Sequence, residues 1–216
     1  MYHYYEDQDF LSRMRAEAGS IMQELCHQLK EEYDIGATFY LVGSGAKKLV
    51  TQNAGNPIDL DYNLEILRCE DFDDCRALKE AVGKSFNKVL TRHRWHQAQD
   101  STSVFKARRI YAMIGQPQFS IDVCITMRDR NDRYYRLIHE KTGILCYDRW
   151  FWNEAPHSAR LREKADYIKK QGKWHLVREQ YLNIKNRYLT RNDHDHPSFV
   201  CYVEAVSNVY NGRRHW

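Results

Sequence analysis

Apolar residues recur at spacings of three and four from residue 6 to 33, at Phe10, Met14, Ala18, Ile21, Leu25 and Leu29, which predicts one amphipathic helix. Asp34 to Ala37 ends it. The run "TFYLVG" that follows is short, rich in β-branched and aromatic residues and closed by glycine, so it reads as a buried strand. "SGAKKLVTQ" predicts a turn and a short helix, and "NAGNP" a second turn. The period then changes to two. In "IDLDYNLEI" the residues Ile58, Leu60, Tyr62, Leu64 and Ile66 fall on one face and Asp59, Asp61, Asn63 and Glu65 on the other, which predicts a strand with one dry side.

A second helix is marked by Phe72, Cys75, Leu78, Val82, Phe86 and Val89, through about residue 91. "STSVFKARRIYAMI", the Gly/Pro turn "GQPQ" and "FSIDVCITM" predict an antiparallel hairpin whose second arm sets Asp122 on the face opposite Ile121 and Val123. "RDRNDR" and "YDRWFWNEAP" read as irregular, the latter as a crossing into another region. Beyond Pro156 the period is helical again: Trp174, Val177, Tyr181, Ile184 and Tyr188 form one stripe, and Phe199, Tyr202, Val206 and Tyr210 a second, opened by Pro197. The expected organisation is an α+β core over residues 1–152 and a C-terminal helical region over 153–216.

Composition narrows the class. At 216 residues and 43% apolar content the chain can bury a substantial core. No stretch approaches the roughly 18 apolar residues of a membrane span, and "MYHYYEDQDF" has no secretory character, so no membrane partner and a cytoplasmic location are expected. The six cysteines form no CxxC pair, which argues against a zinc ribbon or a disulfide framework. The net charge is only +4, yet residues 156–191 hold ten Lys or Arg against three Asp or Glu. Such a cluster suits contact with phosphate or nucleic acid, or simply a solvated helix face.

The acidic strand carries the chemistry. Two carboxylates at i and i+2 project from the same strand face, an unfavourable placement unless cations sit between them, and Mg²⁺ (or Mn²⁺) is the natural oxygen-seeking partner. A third carboxylate from a neighbouring strand would complete a site for two ions about 3.5–4 Å apart that clamps the attacking and leaving oxygens of a phosphoryl displacement; Asp122 is that candidate. Gly43-Ser44-Gly45, between a strand and a helix, offers backbone N–H groups and a hydroxyl to a triphosphate. Each pattern alone is commonplace, since "GSG" is usually a turn and a DxD on an amphipathic strand its wet face. In this order they are much rarer.

Gly43-Ser44, Asp59-Leu60-Asp61 and Ile121-Asp122-Val123 together resemble the three-part signature of the DNA polymerase β-like nucleotidyltransferase superfamily, over roughly residues 38 to 126. The flanking helices resemble the layout of its cyclic GMP-AMP synthase and oligoadenylate synthase branch. The resemblance implies a mixed, mostly antiparallel sheet backed by helices, with a helical region after it. It further implies that Asp59 and Asp61 coordinate both Mg²⁺ ions and that Asp122 coordinates the catalytic ion and helps deprotonate the acceptor. Gly43 and Ser44 would hold the β- and γ-phosphates of an NTP, ATP among the candidates, and an NMP would pass to a hydroxyl with release of pyrophosphate. The acceptor stays open: a second nucleotide, an RNA end, a protein or a small molecule. Two features depart from the pattern, the fourteen residues between Ser44 and Asp59 and the short chain.

Other residues carry weaker expectations. Lys47 and Lys48 follow the loop closely enough to reach phosphates. Lys169, Lys170, Lys173 and Lys185 are candidates for a triphosphate-binding lysine, and Tyr181 or Tyr188 for stacking on a base. His194, Asp195 and His196 read as a polar loop rather than a metal site. Of Arg108 and Arg109, adjacent on a strand, at most one faces the acids. Two rivals to the enzyme reading are a non-catalytic nucleotide- or nucleic-acid-binding relative and a protein-interaction module of the antitoxin or partner type.

Overall fold

The structure, a computed structural model, describes residues 1–110, 118–155, 160–193 and 198–216. In chain order its elements are β1 (Tyr2–Tyr4), α1 (Gln8–Tyr33), β2 (Gly36–Leu41), α2 (Gly43–Lys47), β3 (Thr51–Asn53), β4 (Ile58–Arg68), α3 (Cys75–Arg92), β5 (Gln99–Asp100), β6 (Phe105–Arg108), β7 (Phe119–Arg128), β8 (Tyr134–Glu140), β9 (Arg149–Glu154), α4 (Leu161–Lys170), α5 (Trp174–Thr190) and α6 (Ser198–Asn211), with short 3₁₀ turns at Leu145–Tyr147 and Gly212–His215. Most of the "GQPQ" turn, residues 111–114 of the arm before it, and the 194–197 segment lie outside the described residues.

The chain divides into two compact units, each made of separated segments. The sheet unit comprises Asp7–Val42 and Pro57–Ala155. Among the described residues its sheet has seven strands, β2-β4-β7-β6-β5 in order, with β8 on β7 and β9 on β8. Only the β4–β7 pair is parallel; β2–β4, β5–β6, β6–β7, β7–β8 and β8–β9 are antiparallel, which makes the expected mixed, mostly antiparallel sheet.

The period-two reading of β4 holds over Ile58–Leu64: Ile58, Leu60, Tyr62, Leu64 and Ile66 are buried and Asp59, Asp61 and Asn63 on the other face are half-exposed, but Glu65, expected on that wet face, is buried and pairs with Arg128. Phe119, Ile121, Val123 and Ile125 of β7 extend the dry face, which α1 meets through Phe10, edge-on to Phe119 with ring centroids 6.4 Å apart. All six residues anticipated on the α1 stripe are buried. Both long helices start on an aspartate whose side chain accepts a hydrogen bond from a backbone N–H of the first turn, Asp7 from Phe10 N and Asp74 from Ala77 N. Gly83 lets α3 approach β6, since a Cβ there would sit 3.0 Å from the Phe105 ring.

One segment departs from expectation. Residues 149–154, within the stretch read as irregular, form β9, paired along its length with the equally unanticipated β8. Trp150 and Trp152 point inward, but Phe151 between them is 40% exposed, so three successive aromatics hide the alternation.

The helical unit comprises Met1–Glu6, Gly43–Asn56 and Pro156–Trp216. Helices α4, α5 and α6 share a core of Ile168, Val177, Tyr181, Ile184, Tyr202 and Val206, closed by Leu49. β1 and β3 form a two-stranded antiparallel ribbon beside α5. Phe199, anticipated on the second stripe, is 46% exposed at the start of α6.

Candidate active site

Register places the acids. In the parallel β4–β7 pair Asp61 lies opposite Asp122 and Asp59 opposite Ser120, so three carboxylates from two neighbouring strands share the polar sheet face. On the other side of β7, β6 sets Lys106 opposite Asp122 and Arg108 opposite Ser120. The buried Ser120 hydroxyl donates to Asp59 Oδ1. The Lys106 ammonium lies 3.4 Å from Asp59 Oδ1 and 3.5 Å from Asp122 Oδ1.

Burial, more than charge, sets the state of Asp122: it pushes the carboxyl up from 3.8 to about 6, with Asp59 and Asp61 adding to the rise and Lys106 opposing it. A raised carboxyl pKa means that the folded state holds the proton more tightly than the unfolded chain. Stability is therefore lost as pH rises from about 4 to about 6, and the loss is complete above that window. In divalent-free buffer Asp122→Asn is accordingly expected to stabilise the protein at pH 7 by roughly 2 kcal/mol and to flatten that slope, measured by denaturant unfolding across pH.

The donors fit a hard divalent ion in kind, being anionic oxygens, and among the described residues no well-formed hydrogen bond reaches the buried Oδ1 of Asp122. As the side chains stand, however, no group of three or more His, Cys, Asp or Glu among the described residues is gathered closely enough to hold a metal. Lys106 supplies positive charge there instead.

Lys106 and Ser120 were not among the residues anticipated from sequence. Ser120 lies two residues before Asp122 and so shares its face; Lys106 depends on the register of β6, which no spacing within one strand reveals. Arg108 and Arg109 divide as adjacent strand residues must. Arg108 is exposed on the face of Lys106, whereas Arg109 turns away to Glu17, its Nε 3.1 Å from the carboxylate that also accepts from Trp95 Nε1.

The phosphate-loop candidates belong to the helical unit. Gly43, at φ +59°, opens α2, and the backbone carbonyl of Ser44 accepts from Leu49 N. Lys47 Nζ donates to Gly43 O at 3.0 Å and lies over the Tyr202 ring, and Lys48 takes a left-handed φ of +58°. Among the later candidates, Lys185 donates to Thr51 Oγ1 at 2.9 Å and sits over the Tyr2 ring, and Lys169 covers Trp174. Tyr181 is a core residue at 1% exposure, and the Tyr188 hydroxyl donates to Glu204.

Neither a protein-family model nor a curated protein sequence matches the chain. Solved structures do. The chain is similar to CdnC of E. coli MS115-1 with ATP, at a TM-score of 0.59 and 13% identity over 95% of this chain and 61% of that one. It resembles the CdnC:HORMA-deltaN complex at 0.56 and 15%, over 95% and 60% of the two chains. It also resembles the 3'-deoxy GTP bound form of Vibrio cholerae DncV at 0.54 and 13%, over 84% and 60%. The chain thus spans about three-fifths of the length of these proteins. At these identities the likeness is one of fold: the chain has the mixed α+β fold that CdnC and DncV share.

Proposed function

We propose that this protein is a metal-dependent nucleotidyltransferase that moves an NMP from an NTP to a hydroxyl acceptor and releases pyrophosphate. The observation that carries the reading is the register of β4 on β7, which sets Asp61 directly opposite Asp122 with Asp59 two residues away on the same face. One structure similar in fold contains ATP and another 3'-deoxy GTP, so purine NTPs are the first donors to test.

Asp59, Asp61 and Asp122 would hold Mg²⁺ or Mn²⁺, which when bound would neutralise the triphosphate and stabilise the charge that develops on the leaving group. Ser120 fixes the carboxylate of Asp59 through its hydroxyl. Asp122 takes the proton of the attacking hydroxyl. The hydroxyl oxygen bonds to the α-phosphorus as the bond from that phosphorus to the β-phosphate bridge oxygen breaks, and pyrophosphate departs. Gly43 and Ser44 are assigned to the donor's β- and γ-phosphates, with Lys47 and Lys48 beside them in the chain. Positioning and electrostatics supply most of the rate in this class of chemistry. All six cysteines are free thiols, and no described helix is long and apolar enough to cross a membrane; the cytoplasm, with its NTP pool, is the compartment we assign.

The acceptor is identified by incubating the protein with Mg²⁺ or Mn²⁺ and the four NTPs, singly and mixed, with and without RNA, and resolving products by mass spectrometry. A new nucleotide species, or an NMP mass shift on RNA or on the protein, is the expected result. Metal-dependent NTP binding without any product in the presence of every acceptor would favour a binding relative.

A further inference from the structure

Lys106 occupies a position that the proposed chemistry does not require. β6 lies between β5 and β7, with Gln99 opposite Lys106 on one side and Asp122 on the other, so the backbone at Lys106 is held by neighbours on both edges. Only the side chain can move. Its ammonium approaches Asp59 Oδ1 and Asp122 Oδ1 almost equally, at 3.4 and 3.5 Å, and thus bridges acids on two strands.

A divalent ion on the same two oxygens would sit about 2.0–2.1 Å from each if it were Mg²⁺. An ammonium remaining 3.4–3.5 Å from both oxygens would then face that ion at close range, like charge against like charge. The two cations compete for the same oxygens. Three carboxylates without Lys106 would also repel one another over a face where Asp122 is already largely buried.

We propose that Lys106 is the resting counter-ion of the acid site: it bridges Asp59 and Asp122 in the metal-free protein and is displaced when a divalent ion binds, so that it sets the metal concentration at which the site fills. This rests on the reading of the three acids as metal ligands. The flexible four-carbon stem of lysine suits a charge that must leave and return.

The test measures binding of Mn²⁺ alone, without nucleotide, by electron paramagnetic resonance on the full chain, with thermal unfolding followed in parallel. Lys106→Met is expected to bind Mn²⁺ about tenfold more tightly than the wild type, because the competing charge is gone. It should melt at a lower temperature in EDTA and gain more on Mn²⁺ addition. Lys106→Gln, which keeps a polar head, should move in the same direction, and Lys106→Arg should stay close to the wild type. The two claims fail differently. If the wild type binds Mn²⁺ through the acids, with binding lost in Asp59→Asn/Asp61→Asn, but Lys106→Met and Lys106→Gln bind no more tightly, the counter-ion role is overturned and the metal reading survives. If neither the wild type nor these variants bind Mn²⁺, both fall.

Discussion

Asp61→Asn is expected to reduce nucleotidyl transfer by about 10³-fold or more while leaving the protein folded and no less stable. Asparagine preserves the shape of the side chain and removes its charge. Asp61 lies half-exposed on the polar face of β4, opposite Asp122 across a parallel pair, and the dry face of the same strand is untouched by the change. Its negative charge raises the pKa of Asp122, so neutralising it relieves repulsion in the metal-free protein. Loss of activity should therefore appear without loss of stability, and that separation is the mark of a functional residue. The check pairs the initial rate of transfer with a melting curve. A variant that melts like the wild type and retains more than a tenth of its rate would remove Asp61 from the proposed machinery.

The largest stability effect is expected at Lys79. This α3 residue is 3% exposed, and its ammonium lies 2.8 Å from Asp100 Oδ1 while donating to the carbonyls of Ser101 at 3.0 Å and Thr102 at 3.5 Å. Asp100 Oδ2 meets His139 Nδ1 at 2.6 Å, and His139 Nε2 meets Asp148 at 3.0 Å, so α3, β5, β8 and the residue before β9 are joined through one chain of polar contacts. Burial outweighs Asp100 and holds the Lys79 pKa below its ordinary value. Removing one partner of a buried pair costs roughly 3–5 kcal/mol. Because Asp100 keeps His139 and lies within 4.0 Å of Lys141, the lower end, about 3 kcal/mol, is expected for Lys79→Ala in denaturant unfolding. Both variants remove the charge and its burial penalty, but Lys79→Met should cost less because its stem still packs on Phe105. Equal losses for the two variants would show that the chain of polar contacts, not the packing of the stem, holds this edge.

What the sequence makes legible follows its periodicities. Strict alternation over Ile58–Ile66 puts Asp59 and Asp61 on one face, and the "FSIDV" run does the same for Asp122, so the three acids are readable one strand at a time. The long apolar stripes of α1 and α3 are equally plain. Strand register is a different kind of information: Lys106 faces Asp122 only because β6 pairs with β7 antiparallel at that offset, which hydrogen bonding between distant segments decides. β8 and β9 were hidden by composition. Buried His139 occupies an inward position of β8 where an apolar residue would be expected, and Trp150-Phe151-Trp152 shows no polar partner to mark the outer face. Among the basic residues of the C-terminal helices, sequence could not separate Lys185, packed between the rings of Tyr2 and Tyr181, from lysines elsewhere on the same helices.

The central claim is most directly tested by following pyrophosphate release from each NTP with Mg²⁺ or Mn²⁺, beside inorganic phosphate and beside Asp59→Asn/Asp61→Asn. Across the four NTPs, mixed and with RNA present, the wild type is expected to release one pyrophosphate per NMP transferred, with no matching phosphate, and the double variant none. Phosphate in place of pyrophosphate, or equal release by both proteins, would contradict nucleotidyl transfer at these acids.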